Sequence, residues 1–254
     1  MVKTGRSRGG SGEWEQPFWQ QRGWILSAGF LLVLVILGGY ALMTGEDEPT
    51  PSTGSDRPSP SRTVPSGGGD GDGRPAGCET DDSDQKKPTA PPKDVSWKAN
   101  GTNLVPVSKT AGPLKFDGPV WYCFARTPMG AVLAAHSIAD KFGFAGWREV
   151  AERQVVPGAG RDAFIADRAK EKDTPVSDQP SGVTYAGFAV LSYNEKEATV
   201  MVLAGVPQND QYGSLSVNLR WHEGDWKVVP DPDGTLYAGG SRVDGTDGFV
   251  TWGT

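Results

Sequence analysis

The sequence predicts an α+β domain held outside a membrane by one helix, and three observations support this. Residues 24–43 carry no charge, residues 44–93 are rich in Pro, Gly, Ser and Asp, and the hydrophobic period changes from 3.6 to 2 within residues 94–254. Such patterns are typical of a membrane helix, of a disordered linker, and of helices followed by strands. We therefore expect a cytoplasmic segment 1–23, a membrane helix 24–43, a linker 44–93 and a folded domain 94–254.

The uncharged run begins at Trp24 and ends at Met43, and its 20 residues suffice to cross a hydrocarbon core of about 30 Å. Basic residues precede the run and acidic residues follow it: Lys3, Arg6, Arg8 and Arg22 before, Glu46, Asp47 and Glu48 after. The positive-inside rule then places the N-terminus in the cytoplasm and the domain outside the plasma membrane, with residues 24–43 in contact with lipid. A cleaved secretory signal is the alternative, although its apolar region is usually shorter, about 7 to 15 residues.

Cys78 and Cys123 are the only two cysteines. Both follow the predicted membrane helix and so lie in the compartment where disulfides persist, which predicts a bond between them. Two free thiols, or a bridge between two chains, are the alternatives. Two cysteines alone are too few for a zinc site.

The first half of the domain predicts helices. Thr127 suits a helix N-cap and Pro128 the first helical position, so a helix should run from Pro128 to about Phe142. Because it is apolar nearly all round, we expect it to be buried. A short second helix should begin near Trp147 and a third should cover residues 161–172.

The second half predicts four strands, at residues 184–193, 197–206, 214–222 and 225–229. The third alternates most clearly, with these apolar residues on one face: Leu215, Val217, Leu219 and Trp221. Short links predict an antiparallel meander that curves around the helices. Residues 95–122 are expected to be extended segments that lead into the fold, and the Gly-rich tail 230–254 carries apolar residues that could dock on it.

The helix start ARTPMGAVLAA and the hairpin LRWHEGDWKVVPD resemble the cystatin-like cone fold of nuclear transport factor two and its relatives. Together with the basic N-terminus, single membrane helix and linker, they are similar to the bitopic scaffold proteins of conjugative and type IV secretion machines in Gram-positive bacteria. Single-pass proteins of mycelial, high-GC actinobacteria share the helix start. The resemblance implies helices on a curved antiparallel sheet and a non-enzymatic assembly platform. The Gly-rich tail and the cysteine pair depart from that pattern.

His136 and Asp140 are the candidates for chemistry, since a spacing of four places them on one helical face where Asp could orient His as a general base. A structural pair near a helix end is the favoured interpretation, because polar pairs at this spacing are common. His222 should be solvated. The sequence contains no H-E-x-x-H, G-x-S-x-G, P-loop or G-x-G-x-x-G site, so no cofactor is expected. With 15 basic against 19 acidic residues over 94–254 and no basic stripe, nucleic acid is not an expected partner.

The sequence therefore favours a non-enzymatic, membrane-anchored scaffold of a conjugation or secretion-type machine. Its partners would be other envelope proteins, including copies of itself. A tethered module that binds a small ligand within the cone is the alternative. A pocket enzyme using His136 and Asp140 is less favoured.

The predicted topology can be tested with reporters fused after Thr254. A reporter active only outside the cytoplasm should work there, because the four basic residues before Trp24 hold the N-terminus inside. A reporter active only in the cytoplasm should stay silent at the same position. The reverse pattern would contradict the orientation.

Overall fold

The computed structural model describes residues 73–173, 184–206 and 211–253, which form three helices and ten strands. The helices are α1 (Pro128–Lys141), α2 (Trp147–Gln154) and α3 (Ala159–Arg168). The strands are β1 (Ser96–Asn100), β2 (Asn103–Val107), β3 (Lys115–Asp117), β4 (Val120–Tyr122), β5 (Thr184–Tyr193), β6 (Glu197–Val206), β7 (Gln211–His222), β8 (Asp225–Val228), β9 (Tyr237–Val243) and β10 (Val250–Thr251). The predicted membrane helix 24–43 and the linker up to residue 72 lie outside the described residues. No helix within those residues is long and apolar enough to cross a membrane.

The fold is α+β, as predicted, with the three helices packed on a strongly curled sheet of eight strands. Six strands follow the order β1, β2, β5, β6, β7, β8, while β9 pairs with β7 and β10 with β5. The predicted meander is β5 to β8, except that β7 begins at Gln211 rather than Ser214. The sheet is mixed and not wholly antiparallel, because β2 meets β5 in parallel through Leu104 and Thr184.

Residues 95–122 were expected to be extended leads, and this expectation was too coarse. They form two antiparallel hairpins, β1 with β2 in the main sheet and β3 with β4 beside it. Strands of three to five residues are too short to show a period of two. The tail also forms strands, and α3 is shifted towards the N-terminus of its predicted range 161–172, because it runs from Ala159 to Arg168.

Helix α1 forms the centre of the core. Thr127 accepts a hydrogen bond at 3.0 Å from the backbone N–H of Gly130, and Pro128 occupies the first turn, as predicted. Thirteen of the fourteen residues of α1 are buried, because the sheet curls around it from β2 to β8 and β4 also contacts it. The side chains that point inward from the sheet complete this core, including Val105, Phe188, Val200, Val217 and Trp226.

Asp225, at the start of β8, fixes the chain that leads into α1. Its carboxylate accepts backbone hydrogen bonds from Cys123 at 2.6 Å and from Phe124 and Trp226 at 3.0 Å. Burial raises the pKa of Asp225 to about 6, and these N–H donors act in the opposite direction. Cys123 has a φ of 74°, which non-glycine residues seldom adopt. The carboxylate therefore holds a turn that would otherwise be unfavourable.

Residues 73–93 contain no helix or strand but contact the domain at defined points. Arg74 pairs with Asp82, and Asp82 accepts a hydrogen bond from the backbone of Arg126 at 2.8 Å. Gly224 has a φ of +77°, and a Cβ there would lie 2.3 Å from the backbone of Arg74, so the β7–β8 turn and this segment pack too closely for a side chain.

The predicted disulfide is present between Cys78 and Cys123, whose Cα atoms are 5.5 Å apart. It joins the segment 73–93 to the turn that Asp225 holds. The bond therefore connects the beginning of the described chain to the start of the core helix.

Replacing both cysteines by serine should lower the free energy of unfolding by about 4 kcal/mol, because the bond closes a loop with a sequence separation of 45. Urea denaturation measures the change. Wild-type protein with reductant should lose the same amount, and the double variant should be insensitive to reductant. A wild-type midpoint that does not respond to reductant would contradict a stabilising bridge.

Candidate functional site

Helix α1 carries both candidates, His136 and Asp140, into the core, where they are 0% and 1% exposed. They lie on one face, as their spacing predicts, and both contact Tyr185. They do not form the expected pair, because each is hydrogen-bonded to other groups. The carboxylate of Asp140 therefore does not orient the ring of His136.

Both ring nitrogens of His136 are engaged. Nδ1 lies 2.8 Å from the carbonyl oxygen of Val132, which can only accept, so Nδ1 carries the hydrogen. The indole N–H of Trp252 can only donate, and it points at Nε2 from 3.3 Å. Burial lowers the pKa of His136 to about 4, with the backbone carbonyls of Val132 and Gly187 acting against it. The ring is thus a neutral Nδ1–H tautomer with no nitrogen left to take a substrate proton.

Aromatic rings enclose His136 on three sides. Tyr185 and Trp252 lie with ring centroids 5.0 and 5.1 Å away, and Phe188 is at 6.5 Å, all at edge-on angles. Edge-on contacts of this kind are favourable between aromatic rings. The histidine is therefore packed as a core side chain.

Asp140 is the acceptor at the centre of a buried polar cluster. Oδ1 accepts from Asn103 at 2.7 Å and from the hydroxyl of Tyr185 at 2.8 Å, and Oδ2 accepts from Asn100. Burial raises the pKa of Asp140, whereas the three donors and the charge of Lys141 lower it. Burial also raises the pKa of Tyr185 well above its ordinary value, so its hydroxyl stays protonated and keeps donating.

Lys141 is a member of this cluster that the sequence did not single out. Its ammonium donates to Asn100 Oδ1 and lies 3.7 Å from the ring centroid of Trp121, a cation–π contact. Burial lowers its pKa to about 8, and the charge of Asp140 raises it. Asn100 therefore connects the buried cation to the buried anion. No sequence motif marks these partners, because they come from separate strands.

The C-terminal tail packs against β5 beside these residues. In β10, Val250 pairs with Phe188 and Thr251 with Gly187, and the backbone N–H of Trp252 donates to Ala186. A Cβ at Gly187 would lie 2.7 Å from the carbonyl oxygen of Val250, so the strand approaches closely only because position 187 is glycine. Trp252 is 3% exposed and fills the space beside His136.

A surface groove of about 420 Å³ lies elsewhere, between α2, β4 and β8, and neither His136 nor Asp140 lines it. The cations that line it are paired within the protein, Arg153 with Asp117 and Glu149, and Lys227 with Glu223. Across the part of the chain that the structure describes, no group of three or more His, Cys, Asp or Glu side chains could hold a metal ion.

Fold and site together define an α+β domain whose curled sheet packs on a buried core helix, and His136 and Asp140 on that helix are hydrogen-bonded to other core residues. The chain belongs to the family described as domain of unknown function DUF8175, which matches residues 56–251. No curated protein and no solved structure matches the chain. The family match begins before the first described residue and ends at Thr251, so it includes the tail strand β10.

The burial of His136 predicts a specific pH dependence. Its folded pKa of about 4 lies below the ordinary 6.5, so its contribution to stability is present at pH 7 and is lost as the pH falls from about 6.5 to about 4. Asp140 and Asp225, whose pKa values are raised, act in the opposite direction, so a difference between variants is needed. Relative to His136→Gln, the wild type should lose about 2 kcal/mol of unfolding free energy between pH 7 and pH 4.5.

His222→Gln is the matched control, because His222 is the only other histidine and lies at the surface. Urea denaturation of the three proteins at several pH values gives the comparison. Parallel stability curves for wild type and His136→Gln would show that His136 is not held neutral.

Proposed function

We propose that the chain is a non-enzymatic, membrane-anchored assembly subunit of a conjugation or secretion-type machine of the cell envelope. Its domain would bind protein partners outside the membrane. The observation that supports this proposal is the burial of His136, whose two ring nitrogens both have partners and beside which Trp252 is packed. A domain whose interior is occupied by its own side chains works through its outer surface.

The two other functions would need that interior to be open. A small ligand held in the cone would have to displace Trp252 and the β10 pairing with β5. An enzyme using His136 would need a free ring nitrogen, and both are engaged. Asp140 likewise has three donors on its two oxygens, and these donors stabilise the fold.

The membrane anchor supports the same proposal through local concentration. Anchoring confines a domain to a thin layer, so weak contacts with other anchored subunits act as though the partner were concentrated. An enzyme that acts on a diffusible substrate gains nothing comparable. Removing the predicted membrane helix and replacing His136 should therefore have different effects for a scaffold and for an enzyme.

Two altered proteins distinguish a scaffold from an enzyme. Each is expressed at native abundance in cells that lack the wild-type protein, and the assay is whether transfer activity is restored. His136→Gln should rescue fully, since an amide can replace both hydrogen bonds of the ring. A domain exported by a cleaved signal in place of residues 24–43 should fail, because its local concentration is lost. An unrelated uncharged span of equal length is the matched control and should restore activity.

An enzyme would give the opposite pattern. His136→Gln would then be folded but inactive, and the untethered domain would remain active. Either result would contradict the scaffold proposal.

A further inference from the structure

Most of the large exposed apolar side chains of the described residues lie on the β1–β2 hairpin and on the neighbouring strand β3. Four large ones are prominent, Trp97 at 39%, Leu104 at 54%, Phe116 at 46% and Leu191 at 51% exposure. The first three belong to β1, β2 and β3, and only Leu191 lies elsewhere, on β5. Soluble surfaces do carry single exposed apolar residues, so their grouping is the feature that matters.

The register shows how these residues are arranged. Trp97 is opposite Pro106 and Ala99 is opposite Leu104, so these four share one face of the β1–β2 hairpin. Val105, between them, points into the core. The ring of Trp97 also makes an edge-on contact with Trp252, with centroids 6.3 Å apart, and this contact holds the exposed ring against the C-terminal tail.

Strand β1 is the terminal strand of the sheet, and Lys98 projects from its other face. The ammonium of Lys98 lies 4.5 Å from the ring centroid of Phe116 on β3. The edge thus has apolar side chains on both faces and a cation beside one of them.

This edge is basic although the domain is acidic. Between Lys93 and Phe116 the sequence has four lysines and one acidic residue, Asp94. The carboxylate of Asp94 accepts hydrogen bonds from Ser108 at 2.8 Å and from the backbone of Thr110 at 2.9 Å. Three of the lysines are exposed, at positions 93, 98 and 109. This stretch therefore has an excess of basic residues, whereas residues 94–254 together have an excess of acidic ones.

We propose that this edge, which we call the β1 rim, binds an anionic lipid surface. The β1 rim consists of Lys93, Trp97, Lys98, Leu104, Lys109 and Phe116. Tryptophan is favoured at the headgroup level, and each lysine near an anionic bilayer adds attraction. The apolar and cationic side chains are complementary to lipid chains and lipid phosphates respectively.

Chain length permits this contact. Residues 44–72 separate the predicted membrane helix from the first described residue, and these 29 residues can span at most about 100 Å. Every face of the domain is thus within reach of the bilayer that residues 24–43 are predicted to cross. A second copy of the chain is a poorer occupant, because antiparallel pairing of two β1 strands about their centre places Lys98 opposite Lys98.

Hydrogen exchange of the full chain in nanodiscs tests the proposal. Amides of residues 96–107 should exchange roughly five-fold or more slowly in discs of equal phosphatidylcholine and phosphatidylglycerol than in phosphatidylcholine alone. A triple variant should remove this difference: Lys93→Gln, Lys98→Gln and Lys109→Gln. Each substitution should lower the affinity for the anionic bilayer about five-fold. The matched control removes the same number of charges elsewhere and should keep the difference in exchange between the two lipid compositions. It carries Lys170→Gln, Lys172→Gln and Lys196→Gln.

An apolar pair of variants tests the second component. Leu104→Ser should weaken the protection in anionic discs, whereas Leu191→Ser, which changes a side chain of similar exposure on β5, should not. Equal exchange in the two lipid compositions would overturn the proposal, as would equal losses in the two lysine triples. Protection that needs two chains per disc and ignores lipid charge would overturn it in favour of a protein partner.

Discussion

The carboxylate of Asp140 is the group on which the arrangement of the domain depends. A charge removed from water must be matched by donors, and the donors to Asp140 come from β1, β2 and β5. The hairpin that carries Asn100 and Asn103 is therefore fixed against the end of α1. Removing one donor would leave a buried acceptor unmatched, which costs more than a surface hydrogen bond contributes. This constraint explains why an exposed, basic hairpin has a defined place at the edge of the sheet.

The same cluster shows how residues that could perform chemistry are held within the core. Lys141 and Asp140 are opposite charges near one another, but Asn100 connects them and Trp121 covers the cation. On the same face of α1, the ring of His136 is neutral and has a hydrogen-bond partner at both nitrogens. The tail strand then completes the enclosure, so the interior stabilises the fold while the outer surface remains available for partners.

Sequence reasoning located the elements whose signal is local. The N-cap Thr127 and Pro128 mark the start of α1, and the alternation around Leu215 to Leu219 marks β7. It missed β1 to β4 because strands of three to five residues show little period, and it could not place Trp252 because the tail is bound by residues far away in sequence. For the site, spacing predicted the shared face of His136 and Asp140. It could not predict their partners, which different strands supply.

The claim that the interior is closed depends most directly on the state of His136. Nitrogen-15 NMR of the imidazole ring reads its tautomer and its protonation. The structure predicts a protonated Nδ1, a bare Nε2 and shifts that change little between pH 8 and pH 5, since burial lowers the pKa of His136 to about 4. A ring that titrates near its ordinary pKa of 6.5, or one that exchanges between tautomers, would show an open interior and contradict the account.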